Sequence, residues 1–196
     1  MFVVKEIFRS IQGEGYHVGR AATFVRLSGC NLRCAFCDTD HTQGEAMCGD
    51  AIVHAVRKLS LGGLVVVTGG EPMLQPVAEL TAALHKLGVG FEVALETNGT
   101  LVIPDGTVDW IAVAPKVHVT PGATCAQHSG GELKVLYSGA EDLTVYDDMR
   151  SQFLRCYLQP MDGPSKDKSI AACVARVLYD PTWRLSIQMH KLIGVM

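Results

Sequence analysis

The chain reads Cys-Asn-Leu-Arg-Cys-Ala-Phe-Cys over residues 30–37, and this stretch organises the rest of the sequence. Cys30, Cys34 and Cys37 stand in a C-x3-C-x2-C spacing, which lets one loop wrap around a thiophilic metal centre. A cubane [4Fe–4S] cluster takes one thiolate per iron, so three local thiolates would leave one iron open to a small chelating molecule. The alternatives are three packed cysteines or a structural zinc site, but zinc usually takes four ligands in two separated pairs. No second C-x2-C pair occurs, so the spacing favours the cluster.

The cysteine loop follows a predicted strand. Residues 22–27 (Ala-Thr-Phe-Val-Arg-Leu) are β-prone and end at Ser28-Gly29. The predicted cluster loop, residues 28–40, therefore lies at the carboxyl end of a strand, where α/β proteins place their ligands.

Short apolar runs alternate with amphipathic segments along the remaining chain. Strands are predicted over residues 3–8, 22–27, 64–67, 91–95, 110–113, 132–137, 155–158 and 184–188, and helices over 51–59, 76–87, 141–150 and 168–178. This alternation indicates a parallel sheet with right-handed crossovers. Residues 116–131 read as loop, so the helices are too few for an eightfold barrel. The expected fold is α/β, an open partial barrel of about six parallel strands with a reduced helix set. An ordinary doubly wound sheet is the alternative.

Composition narrows the functional class. The chain has 196 residues, which predicts a single domain over residues 1–196. The net charge of −3 gives no sign of a nucleic-acid partner, and no apolar run reaches the length of a membrane span. Glu6 interrupts the apolar start, so no signal peptide is expected. The expected location is therefore the cytoplasm. Seven cysteines should then stay reduced. The four outside the motif, Cys48, Cys125, Cys156 and Cys173, are interpreted as buried apolar groups.

Four further segments carry polar groups at predicted loops. Residues 68–72 (Thr-Gly-Gly-Glu-Pro) would let carbonyls approach an ammonium group, with Glu71 holding the loop in shape. Residues 96–99 (Glu-Thr-Asn-Gly) suit ribose hydroxyls or a polar heterocycle, although capping explains them equally well. Residues 10–15 (Ser-Ile-Gln-Gly-Glu-Gly) form an irregular loop where backbone can approach a ligand. The hydroxyl of Thr39, after Asp38, could ligate Mg²⁺ or simply cap a turn.

The cysteine motif, with the aromatic Phe36 before its last cysteine, resembles that of the radical S-adenosylmethionine (SAM) superfamily. Residues 12–15, 38–39, 68–72, 158–162 and 188–191 extend the likeness over nearly the whole chain and resemble the 7-carboxy-7-deazaguanine synthases. The resemblance implies a lyase that converts 6-carboxy-5,6,7,8-tetrahydropterin to 7-carboxy-7-deazaguanine with loss of ammonia, in queuosine biosynthesis. It also implies a [4Fe–4S] cluster, SAM and Mg²⁺, an unidentified electron donor and a homodimer.

The resemblance further assigns roles to individual residues. It implies that Cys30, Cys34 and Cys37 ligate the cluster and that Thr39 ligates Mg²⁺. Its SAM-binding positions are Phe36, Cys37, Asp38, Gly70, Ala114, Pro115, Lys116, Gln159, Pro160, Met161 and Asp162. Its substrate-binding positions are Ile11, Gln12, Gly13, Glu14, Arg26, Thr68 and Met196. No side chain is expected to be catalytic, because the cofactor radical does the chemistry.

Three departures from the family pattern stand out. Ala114 replaces a frequent serine, the chain ends in Gly-Val-Met where members often end in proline or alanine, and residues 38–50 are few for the usual cluster-loop helix. Two other functions stay open at this point. An activating enzyme for a glycyl-radical partner has the same cysteine spacing, but Gln12, Glu14 and Arg26 suit a heterocycle better than a peptide. A non-enzymatic iron–sulfur or zinc protein would not need the loop of residues 68–72.

Overall fold

The computed structural model describes residues 1–195, so the predicted contact by Met196 lies outside the described residues. The strands are β1 Phe2–Ile11, β2 Ala21–Leu27, β3 Glu45–Met47, β4 Gly63–Gly69, β5 Phe91–Thr97, β6 Trp110–Val113, β7 Gly130–Tyr137, β8 Phe153–Pro160 and β9 Trp183–Leu185. The helices are α1 Gly49–Leu59, α2 Val77–His85, α3 Asp147–Arg150, α4 Lys166–Tyr179 and α5 Met189–Ile193. Among residues 1–195, no helix has both the length and the apolar character needed to cross a membrane.

All nine strands form one sheet in the order β3-β1-β2-β4-β5-β6-β7-β8-β9. The strands from β2 to β9 in this order are parallel, whereas β1 is antiparallel to both β2 and β3. Successive parallel strands advance in one direction, without the reversal that defines a doubly wound sheet. The predicted open partial barrel is therefore confirmed, with six longer parallel strands and the short β9 at the edge.

The side chains of the parallel strands alternate between two environments. One set packs against the helices: Val25, Val65 and Leu95 share a cluster with Ile52 of α1 and Leu80 of α2. On the opposite face of the sheet, an apolar cluster lies toward the amino ends of the strands. It contains Ala22, Phe24, Leu64, Val66 and Ala94. Because residues two apart in a strand lie on the same face, Arg26, Thr68 and Glu96 continue this second face toward the carboxyl ends. The fold thus gathers polar groups at one end of the sheet.

Several local predictions differ from the structure. The predicted helix over 141–150 is a 3-10 turn, Leu143–Tyr146, followed by the single turn α3, because the side chain of Asp142 accepts a hydrogen bond from the amide of Thr144 and caps this tighter turn. Neither β3 nor α5 was expected. Cys156 and Cys173 are buried as predicted, whereas Cys125 is partly buried and Cys48 is exposed, so the prediction is wrong for Cys48.

Candidate active site

A cavity of about 550 Å³ lies at the carboxyl ends of the parallel strands. This volume suits a small-molecule site. Its lining includes nearly every residue that the sequence singles out: Ile11, Gln12, Gly13, Glu14, Arg26, Cys30, Cys34, Phe36, Cys37, Asp38, Thr39, Thr68, Gly70, Ala114, Lys116, Gln159, Pro160, Met161 and Asp162. Pro115 is buried and is not among the lining residues, so its predicted contact with SAM has no support from the geometry. Which ligand each of the other residues binds stays a prediction.

The three motif cysteines lie on an irregular loop that closes one side of the cavity. The loop is held by hydrogen bonds from the Gly29 amide to the His41 carbonyl (2.8 Å) and from the Cys37 amide to the Cys34 carbonyl (3.1 Å). The Cys30 sulfur accepts from the Leu32 amide at 3.4 Å, and the Cys34 sulfur lies 3.1 Å from the Thr120 hydroxyl. Donors aimed at sulfur suit thiolate ligands, so these residues fit an iron–sulfur cluster.

A site for a single metal ion and a site for an iron–sulfur cluster need different arrangements of the cysteines. Among residues 1–195, no group of three or more His, Cys, Asp or Glu side chains is arranged to hold one ion. A cluster does not need such convergence, because each thiolate binds a different iron. The arrangement of the cysteines is therefore compatible with the cluster.

The glycine-rich loop after β4 packs directly on the cluster loop. A Cβ atom on Gly70 would lie 2.2 Å from the Gly29 carbonyl oxygen and 2.7 Å from the Cys30 Cβ. The Glu71 amide also donates to the Gly29 carbonyl at 2.8 Å. Glycine at position 70 is thus required for the two loops to meet, and this contact fixes Cys30 relative to the end of β4.

The Glu71 side chain links the loop after β4 to the end of β5 from a fully buried position. Its carboxylate accepts hydrogen bonds from the Met73 amide (3.0 Å), the Asn98 amide (2.7 Å) and the Thr97 hydroxyl (2.8 Å). Burial raises the pKa of Glu71, and these hydrogen bonds only partly offset it. The predicted loop-holding role of Glu71 agrees with these contacts, which also account for Thr97.

Opposite the cysteines, the loop of residues 12–15 carries a charged network. The Glu14 carboxylate pairs with the ammonium of Lys134 and accepts from the Gln188 amide group at 2.9 Å. Gln12 donates to Glu96 at 2.9 Å, and Glu96 accepts from the Thr68 hydroxyl at 2.9 Å. Burial alone would raise the pKa of Glu14, but the charge and hydrogen bond of Lys134 outweigh it and hold this pKa at about 2. Glu14 is therefore an anion at neutral pH.

The glycines of this loop serve contacts within the protein. A Cβ on Gly13 would lie 2.1 Å from the His190 ring, and one on Gly15 would lie 2.2 Å from the Glu132 carboxylate. Gly15 also needs a left-handed backbone, with φ +64°. The sequence suggested close approach to a flat ligand, whereas the described contacts are with His190 and Glu132.

Glu132 gives a testable pH dependence. It is 4% exposed, and burial raises its pKa from 4.5 to about 7. Because the folded-state pKa exceeds the unfolded one, the stabilisation is complete below about pH 4.5 and is lost as the pH rises through about 7. Glu132→Gln cannot ionise, so we expect it to lack this loss, which is about 3 kcal/mol in the wild type. Urea unfolding across this pH range measures it. The exposed Glu79→Gln is the control, and parallel pH curves for Glu132→Gln and the wild type would contradict the assignment.

The other end of the cavity is closed by the tail. Lys191 of α5 pairs with Asp38 of the cluster loop and with Asp162 after β8, the latter at 2.6 Å. Lys116 also lines the cavity, and burial together with the charge of Lys134 lowers its pKa to about 8. The two acids predicted to contact SAM are thus tied together by a residue that the motifs did not assign.

Sequence reasoning missed several lining residues that have clear contacts. They are Lys134, Gln188, His190 and Lys191. Thr120, which contacts the Cys34 sulfur without lining the cavity, was missed as well. Residues 188–191 contributed to the family resemblance without a role of their own. For Lys134 a signal existed, since Glu132 and Lys134 alternate with apolar residues in β7 and so mark a polar face.

Comparisons with known proteins agree with this geometry. The sequence profile of the Radical SAM superfamily matches residues 24–150. The 7-carboxy-7-deazaguanine synthase of Caulobacter vibrioides is 43% identical over 215 residues, which cover 99% of this chain and 99% of that protein. The synthase of Bacteroides thetaiotaomicron is 41% identical over 192 residues, with 98% and 97% covered. The crystal structure of QueE from Escherichia coli is similar with a TM-score of 0.78 at 27% identity, over 96% of this chain and 94% of that one. With such identity over almost its whole length, the chain belongs to the 7-carboxy-7-deazaguanine synthase family of the radical SAM superfamily.

Proposed function

We propose that this protein converts 6-carboxy-5,6,7,8-tetrahydropterin to 7-carboxy-7-deazaguanine with loss of ammonia, as a radical SAM lyase of queuosine biosynthesis. One observation carries the proposal. A single cavity is lined both by the three cluster-loop cysteines and by the hydrogen-bonded network of Gln12, Glu14 and Thr68. Family membership excludes the non-enzymatic alternative, and the heterocycle-sized cavity favours a pterin over a peptide substrate.

The enzyme uses a [4Fe–4S] cluster, SAM and Mg²⁺, as its family does. We assign the cluster to Cys30, Cys34 and Cys37, and Mg²⁺ to the hydroxyl of Thr39, which lines the same cavity. When bound, the cluster and SAM supply the radical chemistry that starts the reaction. The residues assigned to SAM all line this cavity and are Phe36, Cys37, Asp38, Gly70, Ala114, Lys116, Gln159, Pro160, Met161 and Asp162.

The chain's own contribution is positioning and exclusion of water. Glu14, an acceptor of two hydrogen bonds already, retains lone pairs for N–H groups of the pterin. Arg26 can offer its planar fork to the substrate carboxylate. His190 and Lys191 of the tail also line the cavity. Ile11, Gln12, Gly13 and Thr68 complete the proposed pterin side.

The assignment of Arg26 predicts a specific defect in Arg26→Lys. The Arg26 Nε donates to Glu6 at 2.8 Å, and its guanidinium lies 5.5 Å from the Phe8 ring centroid. Lysine keeps the charge but cannot hold this position and also present a fork. We expect carboxypterin binding to weaken about tenfold or more, with SAM cleavage still possible. Equilibrium titration of the anaerobic protein measures this. Arg9→Lys, outside the cavity, is the matched control, and unchanged affinity in Arg26→Lys would remove Arg26 from the site.

We further propose that residues 1–196 act as one domain, in the cytoplasm, as a homodimer that receives electrons from an unidentified donor. The continuous nine-stranded sheet supports the single domain. Sedimentation of the purified protein measures the oligomeric state directly, and a monomer at micromolar concentration would contradict the dimer.

The function itself is tested by an anaerobic reaction with reductant, SAM and the carboxypterin, followed by mass spectrometry. The expected products are 7-carboxy-7-deazaguanine and ammonia, which together account for every atom of the carboxypterin, whereas 5′-deoxyadenosine and methionine form only from SAM cleavage that is not coupled to turnover. If 5′-deoxyadenosine forms but the pterin is unchanged, the superfamily assignment stands and the substrate assignment is wrong. A protein that instead installs a radical on a glycyl-radical enzyme would support the activating-enzyme alternative.

A further inference from the structure

Lys134 is a buried charge for which the sequence motifs assign no role. It lies in β7 and is 8% exposed. An ammonium group in such a place is costly unless a carboxylate pairs with it. Its ammonium contacts the Glu14 carboxylate, and the charges of Glu96 and Glu132 also act on it. Burial alone would lower the pKa of Lys134, but these three carboxylates raise it, so the group stays charged.

The same contact immobilises Glu14. Lys134 binds Oε2 of its carboxylate, and Gln188 donates to Oε1 at 2.9 Å. The Glu14 amide is held in turn by the Gln12 side chain at 3.1 Å. An ionised carboxylate has about four acceptor positions, so two contacts leave acceptor capacity for a ligand in the cavity. A flexible glutamate would lose rotamer entropy on binding, whereas this one is already fixed.

We propose that Lys134 is a positioning residue for the pterin: from the strand, it fixes the Glu14 carboxylate as an oriented anion against which the pterin's N–H groups bind. The inference rests on the proposed function and deepens it. Lys134 acts through Glu14, so its contribution to substrate affinity should vanish when Glu14 can no longer serve as an anion.

Removal of the ammonium changes how binding responds to pH. Glu14 faces Lys134 of β7, His190 and Gln188 of the tail, and the wider field of Glu96, Glu132 and Lys116. Burial favours the neutral form of Glu14, and the Lys134 ammonium opposes this effect. When the ammonium is removed, the pKa of Glu14 therefore rises. A protonated Glu14 turns one acceptor into a donor, so pterin affinity should fall as the pH decreases. Since the wild-type pKa of Glu14 is about 2, the wild type should not show this decrease at mildly acidic pH.

The test uses the cluster-reconstituted protein with SAM, under anaerobic conditions, and measures the equilibrium affinity for the carboxypterin between about pH 5 and about pH 8. Lys134→Met should bind about ten- to a hundredfold more weakly at neutral pH, and its deficit relative to the wild type should grow toward acid. Lys134→Arg keeps the charge and should restore the wild-type pH profile. The exposed Lys86→Met controls for loss of a lysine as such.

A double-mutant cycle with Glu14→Gln separates positioning from direct contact. In the Glu14→Gln background, Lys134→Met should change the affinity by less than about threefold. An equal loss in both backgrounds, or a wild-type affinity and pH profile in Lys134→Met, would overturn the inference. If the wild type itself does not bind the carboxypterin, the proposed function fails instead. Should Lys134→Met not fold, Lys134→Gln takes its place in every comparison.

Discussion

Replacing Cys34 with alanine is expected to abolish both the iron–sulfur chromophore and the formation of 5′-deoxyadenosine. The loop of residues 28–44 supplies only three thiolates to the cavity, so one loss leaves the cluster with two protein ligands. Iron content, the visible absorption spectrum and 5′-deoxyadenosine yield measure the effect on anaerobically reconstituted protein.

The chain offers a matched control for this substitution. Cys48 is exposed and does not line the cavity, so Cys48→Ala should keep full iron content and activity. If Cys34→Ala also kept both, Cys34 would not be a ligand. Cys125, which is partly buried but absent from the cavity lining, would then be the next cysteine to substitute.

The second large effect is expected for Glu71→Ala. The substitution leaves the Met73 amide, the Asn98 amide and the Thr97 hydroxyl without their acceptor in a dry environment. Each such donor is costly when buried and unpaired, so we expect the free energy of unfolding to fall by about 3–4 kcal/mol. Urea denaturation of the metal-free protein measures this without interference from cluster loss.

The control for Glu71 is a carboxylate on the surface. Glu45 is exposed in β3, and Glu45→Ala should change the free energy of unfolding by no more than about 0.5 kcal/mol. Equal stability of Glu71→Ala and the wild type would show that the loop after β4 and the end of β5 hold together without this side chain.

The sequence predicted those parts of the fold in which local pattern and packing agree. The runs that became β4 to β8 are apolar and end in polar or glycine-rich residues, which is what a buried parallel strand with a ligand at its carboxyl end requires. The cysteine spacing and the loop of residues 68–72 placed the cavity at that end for the same reason.

The elements that were missed lack a pattern of their own. β3 has three residues and α5 has five, which is too short for a period of 2 or 3.6 to be recognised. Gly194, with φ +70°, is a helix-ending signal that could have revealed α5. The partners of Glu14 could not be predicted from local sequence patterns either. Lys134 and Gln188 are distant in sequence and contact Glu14 only in the folded protein.

The contacts between the first loop and the tail have a consequence for the order of folding. Glu14 bonds Gln188 across 174 positions and Gly15 bonds Ser186 across 171. A ribosome therefore makes residues 12–15 long before their partners at residues 186–188. The sheet up to β8 and the cysteine loop can assemble before this contact forms, while the substrate side waits for residues 186–188. A nascent chain stalled before residue 186 would hold its thiols in place with no finished cavity to protect a cluster from the solvent.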